Sequence, residues 1–453
     1  MGSRLPPLLG ALIAALAATG AAAAPPADCT YAIHVDTALV LDGTLTCVPG
    51  VTGFTVVEPA TDLYLDLDWA EGETATTGRF RLDLGTFAAK ENDRDSAQRL
   101  GRSVLATGGA WLLRPLGVLP ATIDVTVTTD PGVTFATGLA RHGAGYRLSS
   151  ADLRFAGYSA FGKVDVHPMP YRDSDGNPAQ VDLAILDGDL DLPREDIVAW
   201  ARDSLDAAVA FWHGLPAPRV MVALLPRPGR GGVPFGRVMS GGGVSVMVLV
   251  GQHATPRDLA DDWVFIHEMI HVGQPFVRDG MWFTEGQATY LEPLIRVRWK
   301  RQTEADMWRE FVTRMPGGVA VIERTGMQHG GWRGMYYGGA VLMMLADITL
   351  RRASQGRIGV ENCFRGAGRE LGPSSSRHSL RALVEACDRA VGSPVMAEVV
   401  ARYGMQAGTL DLEAIWRDLG VAWDGTTLTL DDTAPLAWVR RSMIRGGPDP
   451  KES

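Results

Sequence analysis

The spacing of the hydrophobic residues changes along the chain, and this change limits the folds that are available to it. Between residues 31 and 169, apolar and polar residues alternate in short runs such as Ile123 to Thr128. Alternation with a period of two is typical of strands in antiparallel sheets. From residue 255 onward the apolar residues recur at helical spacing, which predicts helices near 256–272, 284–299, 303–313, 336–352, 377–390, 394–403 and 411–419. The sequence therefore predicts an α+β protein, with an antiparallel β-sandwich-like domain first and a mainly helical region last.

A shorter segment between these regions mixes both patterns. A helix is predicted from Leu192–Pro193 to Trp212, followed by the strands Val220 to Leu225 and Val244 to Val250. The glycine-rich stretch 228–236 is predicted as a loop. It lacks the Gly-Lys-Ser/Thr ending that a phosphate-binding loop requires.

The first 24 residues have the layout of a secretory signal peptide. Arg4 precedes the apolar run Leu8 to Ala18, and a stretch of small residues ends at Ala24, where cleavage is expected. The alternative is an uncleaved membrane anchor, for which the apolar run is short. No later stretch of the sequence is apolar enough to cross a bilayer. We therefore expect a secreted or periplasmic protein that is not inserted in a membrane once the signal is removed.

The cysteines fit an oxidising compartment. Two lie close together after the predicted signal and two lie close together near the end of the chain, at Cys29, Cys47, Cys363 and Cys387. This spacing favours two local disulfides, Cys29 with Cys47 and Cys363 with Cys387. Four cysteines allow three pairings, so the connectivity stays open at this point.

The charge balance is acidic. The 453 residues include 43 Lys and Arg against 52 Asp and Glu, which gives a formal net charge of −9. An acidic chain is poorly suited to binding nucleic acid or an anionic membrane surface. Its length is typical of two or three domains.

One motif carries most of the chemistry, and it reads His267-Glu268-Met269-Ile270-His271. Two histidines four residues apart on a helix project from the same face, so both imidazoles can reach one metal ion while Glu268 lies beside it. Thr255, Pro256 and Asp258 predict the start of this helix. A hydrolytic zinc site needs a third protein ligand and leaves a position for water.

Glu285 is the candidate for the third ligand. Thr284 with Gln287 predicts a capping box, which would place Glu285 in the first turn of the next helix. A helix, a turn of about a dozen residues and an antiparallel helix would bring this carboxylate back against the histidine pair.

The motif followed by Glu285-Gly286-Gln287-Ala288-Thr289-Tyr290 resembles the gluzincin metallopeptidases, particularly the glycyl aminopeptidase family and more distantly the alanyl aminopeptidase and leukotriene A4 hydrolase group. The resemblance implies one Zn²⁺ ion per chain, with His267, His271 and Glu285 as ligands and Glu268 as the general base. It also implies a peptide or protein substrate.

A second segment, Tyr336-Tyr337-Gly338-Gly339, is similar to the Tyr-x-Lys-Gly segment of these peptidases, in which the tyrosine hydroxyl stabilises the oxyanion. The resemblance points to Tyr336, with Tyr337 as the alternative. The sequence departs from the family in three places. Gly338 stands in place of the lysine, only the 13 residues 272–284 separate His271 from Glu285, and the glycine-rich segment 240–245 lacks the glutamate that holds a substrate amine.

These features together predict the division of the chain and its function. We expect a signal peptide at 1–24, a β-rich domain at 25–178, a thermolysin-like catalytic domain with the HExxH helix at 179–300, and a helical part of the catalytic region at 301–453. The expected function is that of an exported zinc metallopeptidase. The alternatives are a catalytically silent protein that binds peptide or glycan at the cell envelope, and a zinc hydrolase of a non-peptide bond. The oligomeric state and the choice between exo- and endopeptidase activity are left open.

Overall fold

The computed structural model describes residues 28–329, 331 and 334–446. The predicted signal peptide and its cleavage site lie outside these residues. Across the described ranges, no helix is both long enough and apolar enough to span a membrane.

The N-terminal half is built from short strands. They are β1 Cys29–Val35, β2 Val40–Cys47, β3 Val51–Thr55, β4 Leu65–Glu71, β5 Thr76–Asp83, β6 Ala97–Leu100, β7 Ser103–Thr107, β8 Arg114–Gly117, β9 Ile123–Thr129, β10 Thr134–Thr137, β11 Arg141–His142, β12 Gly145–Leu148 and β13 Tyr158–Gly162, with the helix α1 Leu84–Glu91 after β5. Within the described residues they form a seven-stranded sheet in the order β11-β12-β9-β1-β2-β5-β4, a four-stranded sheet in the order β10-β13-β7-β6, and the pair β3-β8. Residues of both larger sheets share one hydrophobic core, as the sandwich-like prediction requires.

The seven-stranded sheet is not wholly antiparallel. Burial alternates along β1, which agrees with the period of two in the sequence. However, β1 pairs with β2 in antiparallel and with β9 in parallel orientation, so the antiparallel prediction is wrong at this pair. Parallel neighbours need a long connection, and residues 36–122 supply it here.

A five-stranded sheet follows in the described chain. Its strands are β14 Asp165–Arg172, β15 Pro178–Ile185, β16 Arg219–Arg227, β17 Phe235–Ser240 and β18 Val244–Gly251, in the order β14-β15-β16-β18-β17. The helix α2 Arg194–Trp212 packs on one face, and β7 and β13 pack on the other. Both faces are therefore covered, which explains why β16 and β18 are nearly continuous apolar runs.

One edge strand of this sheet is β17. β17 starts at Phe235, inside the glycine-rich stretch predicted as a loop, whereas Val244 and Ser245 belong to the inner strand β18. Gly241, Gly242 and Gly243 form the turn between the two strands, and Gly242 and Gly243 have positive φ angles of 65° and 150°.

Helices make up most of the remainder. The elements are α3 Pro256–Ala260, α4 Val264–Val272, β19 Phe276–Val277, α5 Met281–Arg298, α6 Glu304–Thr325, α7 Gly339–Ser354, α8 Val360–Leu371, β20 Arg377–His378, α9 Leu380–Val391, α10 Val395–Val399, α11 Leu412–Leu419, β21 Val421–Trp423, β22 Leu428–Leu430 and α12 Ala437–Arg445. A π-helical turn, Gly334–Gly338, leads into α7. The predicted helix 256–272 is split in two, because the buried carboxylate of Asp262 accepts hydrogen bonds from the N–H groups of Val264 and Phe265 and starts α4.

Two features hold the helical region together. Gly286 of α5 and Gly339 of α7 are in backbone contact, since a Cβ atom on Gly286 would lie 2.3 Å from Cα of Gly339. Further along the same helices, the hydroxyl of Tyr290 donates to Asp347 over 2.8 Å, and the fully buried Arg351 pairs with Asp347 and with Glu361 of α8. The spacing of α5 and α7 is therefore fixed at both points.

Both predicted disulfides are present. Cys29 and Cys47 join β1 to β2, and Cys363 and Cys387 join α8 to α9. The local pairing expected from the sequence is confirmed.

Candidate metal centre

The two histidines of the motif face the same side of α4, one turn apart. Nε2 of His267 lies 3.2 Å from Nε2 of His271. Glu285, on α5, directs Oε2 at both, at 3.3 Å from His267 and 3.4 Å from His271. In the described part of the chain this is the one cluster of three or more His, Cys, Asp or Glu side chains that could hold a metal ion.

The three separations match the requirements of a tetrahedral zinc site. Zinc bonds to imidazole nitrogen and carboxylate oxygen are about 2.0–2.1 Å long, so ligand atoms of one tetrahedron lie about 3.3–3.4 Å apart. Two nitrogens and one oxygen at this spacing leave the fourth corner for water or substrate.

Glu285 reaches this position from the second turn of its helix. α5 begins at Met281 with Gly280 as its N-cap, so the predicted capping box at Thr284 and the predicted place in the first turn are wrong. Thr284 instead donates its hydroxyl to the carbonyl of Met281. The helix starts early because Trp282 and Phe283 are buried in the helical core.

The charges of these groups depend on one another. Burial lowers the pKa of His267. Burial also disfavours a charge on His271, but the Glu285 carboxylate outweighs it and raises the pKa of His271 to about 9. The imidazole of His271 in turn holds the pKa of Glu285 well below its usual range, against the effect of burial. The negative charge of Glu285 thus stabilises a positive charge beside it, as a group that binds a cation must.

Glu268 lies next to the cluster, against the edge strand. It is 8% exposed and accepts a hydrogen bond from the N–H of Val238, while burial raises its pKa to about 7. Gly236 makes this approach possible, because a Cβ atom there would lie 2.4 Å from Cγ of Glu268 and 2.9 Å from Cγ1 of Val264.

The side chains of the two candidate tyrosines point in different directions. The ring of Tyr336 stacks at 6.1 Å from the ring of His267, and its hydroxyl hydrogen-bonds to Glu285. Burial is the main cause that raises the pKa of Tyr336, so the hydroxyl keeps its proton. Tyr337 lies elsewhere, where its hydroxyl accepts a hydrogen bond from Arg314 over 3.0 Å.

Sequence reasoning missed several residues that line the cleft. The cleft has a volume of about 460 Å³, and besides the predicted residues its walls include Arg94, Asp95, Phe235, Arg237, Ser240, Gln274, Phe276, Met281 and Ser374. Gln274 could have been found, since it follows His271 by three residues, but the others come from distant segments. Asp95, from the N-terminal half, pairs with Arg237 of β17.

The comparisons with known proteins identify solved structures with a similar fold. No protein-family model and no curated protein matches the sequence. Among solved structures, an aminopeptidase N family protein from Idiomarina loihiensis matches with a TM-score of 0.63 at 12% identity, over 87% of this chain and 78% of that chain. The M1 zinc metallopeptidase of Deinococcus radiodurans matches with a TM-score of 0.50 at 13% identity, over 85% of this chain and 94% of that chain.

This chain has the fold of those peptidases. A mutant of the Deinococcus radiodurans peptidase, bound to a Tyr-Ser-Ala substrate, matches equally well, with a TM-score of 0.50 at 13% identity over 85% of this chain and 94% of that chain. The mixed α+β fold is therefore the one found in these M1 and aminopeptidase N family structures.

Proposed function

We propose that the protein is a zinc-dependent metallopeptidase that hydrolyses peptide bonds with a zinc-activated water molecule. The observation that carries this proposal is the meeting of Glu285 with the histidine pair at 3.3 and 3.4 Å. The shared fold with M1 zinc metallopeptidases supports it.

His267, His271 and Glu285 would hold one Zn²⁺ ion per chain. Two imidazoles and one carboxylate form the donor set of many hydrolytic zinc sites. Once bound, zinc lowers the pKa of a water molecule and polarises the substrate carbonyl.

The remaining steps belong to protein side chains. Glu268, buried between α4 and β17, would take the proton from the attacking water and pass it to the leaving amine. Tyr336, beside His267, would donate its hydroxyl proton in a hydrogen bond to the oxyanion as negative charge develops. Tyr337 is not proposed for this role, since its hydroxyl already binds Arg314.

The proposed substrate is an extended peptide. The edge strand β17 borders the cleft and can add a peptide strand through main-chain hydrogen bonds. β17 carries no acidic residue that could hold a free amine at the substrate N-terminus. We therefore propose a peptidase that is not restricted to aminopeptidase activity, and we do not assign it to the glycyl aminopeptidase subgroup.

We further propose export of the protein. The two disulfides are typical of an oxidising compartment, and residues 1–24 fit a cleaved signal. The domain division at 25–178, 179–300 and 301–453 also remains a proposal. β14 lies in the first of these ranges but pairs with β15 in the five-stranded sheet.

The test is a metal analysis of the purified mature chain combined with hydrolysis of unfolded casein, with and without a chelator. We expect about one zinc per chain and cleavage that the chelator abolishes and added zinc restores. A chain that binds zinc without cleaving casein or a peptide library would be a silent binding protein or a hydrolase of another bond, and the proposal would be rejected.

A further inference from the structure

One end of the cleft carries hydrogen-bond donors that the hydrolytic steps do not use. This end lies past the C-terminus of α4, next to Gln274, and it includes Ser240, Phe276 and Ser374. The backbone N–H of Ser374 donates to the carbonyl of Val272, the last residue of α4, over 3.1 Å. The position of Ser374 relative to the histidines is therefore fixed by α4 itself.

The hydroxyl of Ser374 is buried without a partner. Ser374 lines the cleft and is 6% exposed, and its buried Oγ atom has no hydrogen-bond partner among the described residues. A buried hydroxyl without a hydrogen bond is costly, and such groups usually have a ligand or a water molecule as partner. The hydroxyl of neighbouring Ser240 is not a partner for it, because that hydroxyl donates to the main-chain carbonyl of Ser374.

Arg377 lies next to Phe276, a residue at the same end of the cleft. Its strand, β20, pairs with β19 so that Arg377 lies opposite Phe276. The guanidinium carbon is 3.7 Å from the ring centroid of Phe155 and 5.6 Å from that of Phe276, so two aromatic rings hold the group. Among the described residues, no carboxylate forms an ion pair with it, and its charged neighbours are Asp152 and Arg278.

A guanidinium and a hydroxyl both donate hydrogen bonds, and the planar guanidinium matches a carboxylate with two parallel bonds. The opposite end of the cleft differs, because Arg237 there is already paired with Asp95. Arg377 and Arg278 together outnumber the one carboxylate beside them, Asp152, whereas the whole chain has a net charge of −9. An anionic group of a peptide is thus favoured at the Ser374 end.

We propose that Ser374 and Arg377 form a subsite that binds a carboxylate of the peptide substrate. This inference rests on the proposed peptidase function and specifies its substrate class. The carboxylate is either an acidic side chain or the C-terminus of the peptide, since both have the same chemistry.

The experiment uses fluorogenic peptides that differ in one group. One set places a single Glu at successive positions around the cleaved bond, in amidated peptides, with Gln in the matched peptides. A second set has neutral side chains and either a free or an amidated C-terminus. We expect one carboxylate peptide to have a KM about tenfold lower than its neutral match, and the set that contains it identifies the source of the carboxylate.

Two variants test the residues. Arg377→Ala should raise the KM of the preferred peptide about tenfold, with kcat and the kinetics of the neutral peptide unchanged. Ser374→Ala, which removes one hydroxyl only, should raise the same KM about fivefold. The control is Arg381→Ala, since Arg381 is exposed on α9 and, in the part of the chain that the structure describes, pairs with Glu385 four residues on.

The outcomes separate this inference from the proposed function. Equal KM values for carboxylate and neutral peptides, or a preference that survives in both variants, would overturn the subsite while leaving the peptidase assignment in place. If no peptide is cleaved, the proposed function fails. Fluorescence anisotropy then measures the binding of the same labelled peptides to the full chain. If the subsite exists, Arg377→Ala weakens binding of the carboxylate peptide and leaves binding of the neutral peptide unchanged.

Discussion

His271 is held by Gln274, whose Oε1 lies 2.6 Å from Nδ1 of the imidazole. The amide of Gln274 cannot be flipped to exchange its oxygen and nitrogen, because its Nε2 donates to the carbonyl of Thr284 over 3.1 Å. Nδ1 of His271 therefore carries the proton, and Nε2 is left as the atom that faces His267 and Glu285.

The first prediction concerns this contact. Gln274→Ala should lower zinc affinity about 10- to 100-fold, because the imidazole loses the partner that fixes its orientation. Gln252→Ala is the matched control, since the Gln252 amide binds the N–H of Gly229 instead. Competition with a chromogenic chelator measures the affinity. Unchanged zinc binding in Gln274→Ala would show that His271 needs no such support.

The second prediction separates the roles of the motif residues. Glu268→Gln keeps the shape of the side chain but removes the base, so zinc content should stay at about one per chain while kcat falls about 10²- to 10⁴-fold. His271→Ala should lose both zinc and turnover. Metal analysis and peptide hydrolysis on the same preparations give the answer. Retained hydrolysis in Glu268→Gln is the result that the mechanism does not permit.

A third prediction compares the neighbouring tyrosines. Tyr336→Phe should lower kcat about 10²- to 10³-fold, because it removes one hydrogen bond to the oxyanion. Tyr337→Phe removes the hydrogen bond with Arg314, which lies away from the metal ligands, and should stay near the wild-type rate. Steady-state kinetics on one peptide suffices. A larger loss in Tyr337→Phe than in Tyr336→Phe would show that Tyr337 is the hydroxyl donor and that Tyr336 is not.

The fourth prediction tests the close approach of β17 to α4. In Gly236→Ala the new methyl group would lie 2.4 Å from Cγ of Glu268, so the strand or the carboxylate must move. Misplaced catalytic groups cost about 100-fold in rate, and we expect a loss of that order in kcat. Gly317→Ala on α6 serves as control, since a Cβ atom there meets no atom of the described residues within 4 Å. Equal rates in the two variants would contradict the tight contact.

The fifth prediction concerns stability and pH. Glu292 is 3% exposed, and burial raises its pKa to about 8, although Arg296 opposes this shift. The folded state therefore binds this proton more tightly than the unfolded chain does. The resulting stabilisation is complete below about pH 4.5 and is lost as the pH rises through about 8.

Glu292→Gln should remove this dependence. Between pH 5 and pH 9 the wild type should lose on the order of 1–3 kcal/mol more unfolding free energy than the variant. Urea unfolding at pH 5, 7 and 9 measures the difference. The exposed Glu73→Gln serves as control and should follow the wild type. Parallel pH profiles for Glu292→Gln and wild type would argue that Arg296 keeps Glu292 charged throughout.

Short-range features of the fold were predictable from the sequence. The cap at Thr255 and Asp258 is present as expected, because capping involves residues three apart. α8 was missed, since its two glycines disfavour a helix. Gly366 is needed there because a Cβ atom would lie 2.2 Å from Cβ of Ala390. A contact between helices thus outweighs local propensity, and the sequence pattern does not contain that contact.

The site residues were likewise predictable where they depend on local spacing in the sequence. His267 and His271 share one helix turn, so their convergence follows from helix geometry alone. The meeting with Glu285 was expected, but its place in the helix was wrong, because the start of α5 depends on the burial of Trp282 and Phe283. The parallel pair of β1 and β9 and the cleft residue Ser374 depend on contacts across long stretches of chain, which local patterns do not encode.

Asp95 and Ser374 line the same cleft although most of the chain lies between them. A ribosome adds Asp95 long before Ser374, because 278 residues lie between them. Until then the histidines and Glu285 can exist, but one wall of the cleft does not. The order of synthesis therefore delays a complete cleft until the wall that contains Ser374 has been added.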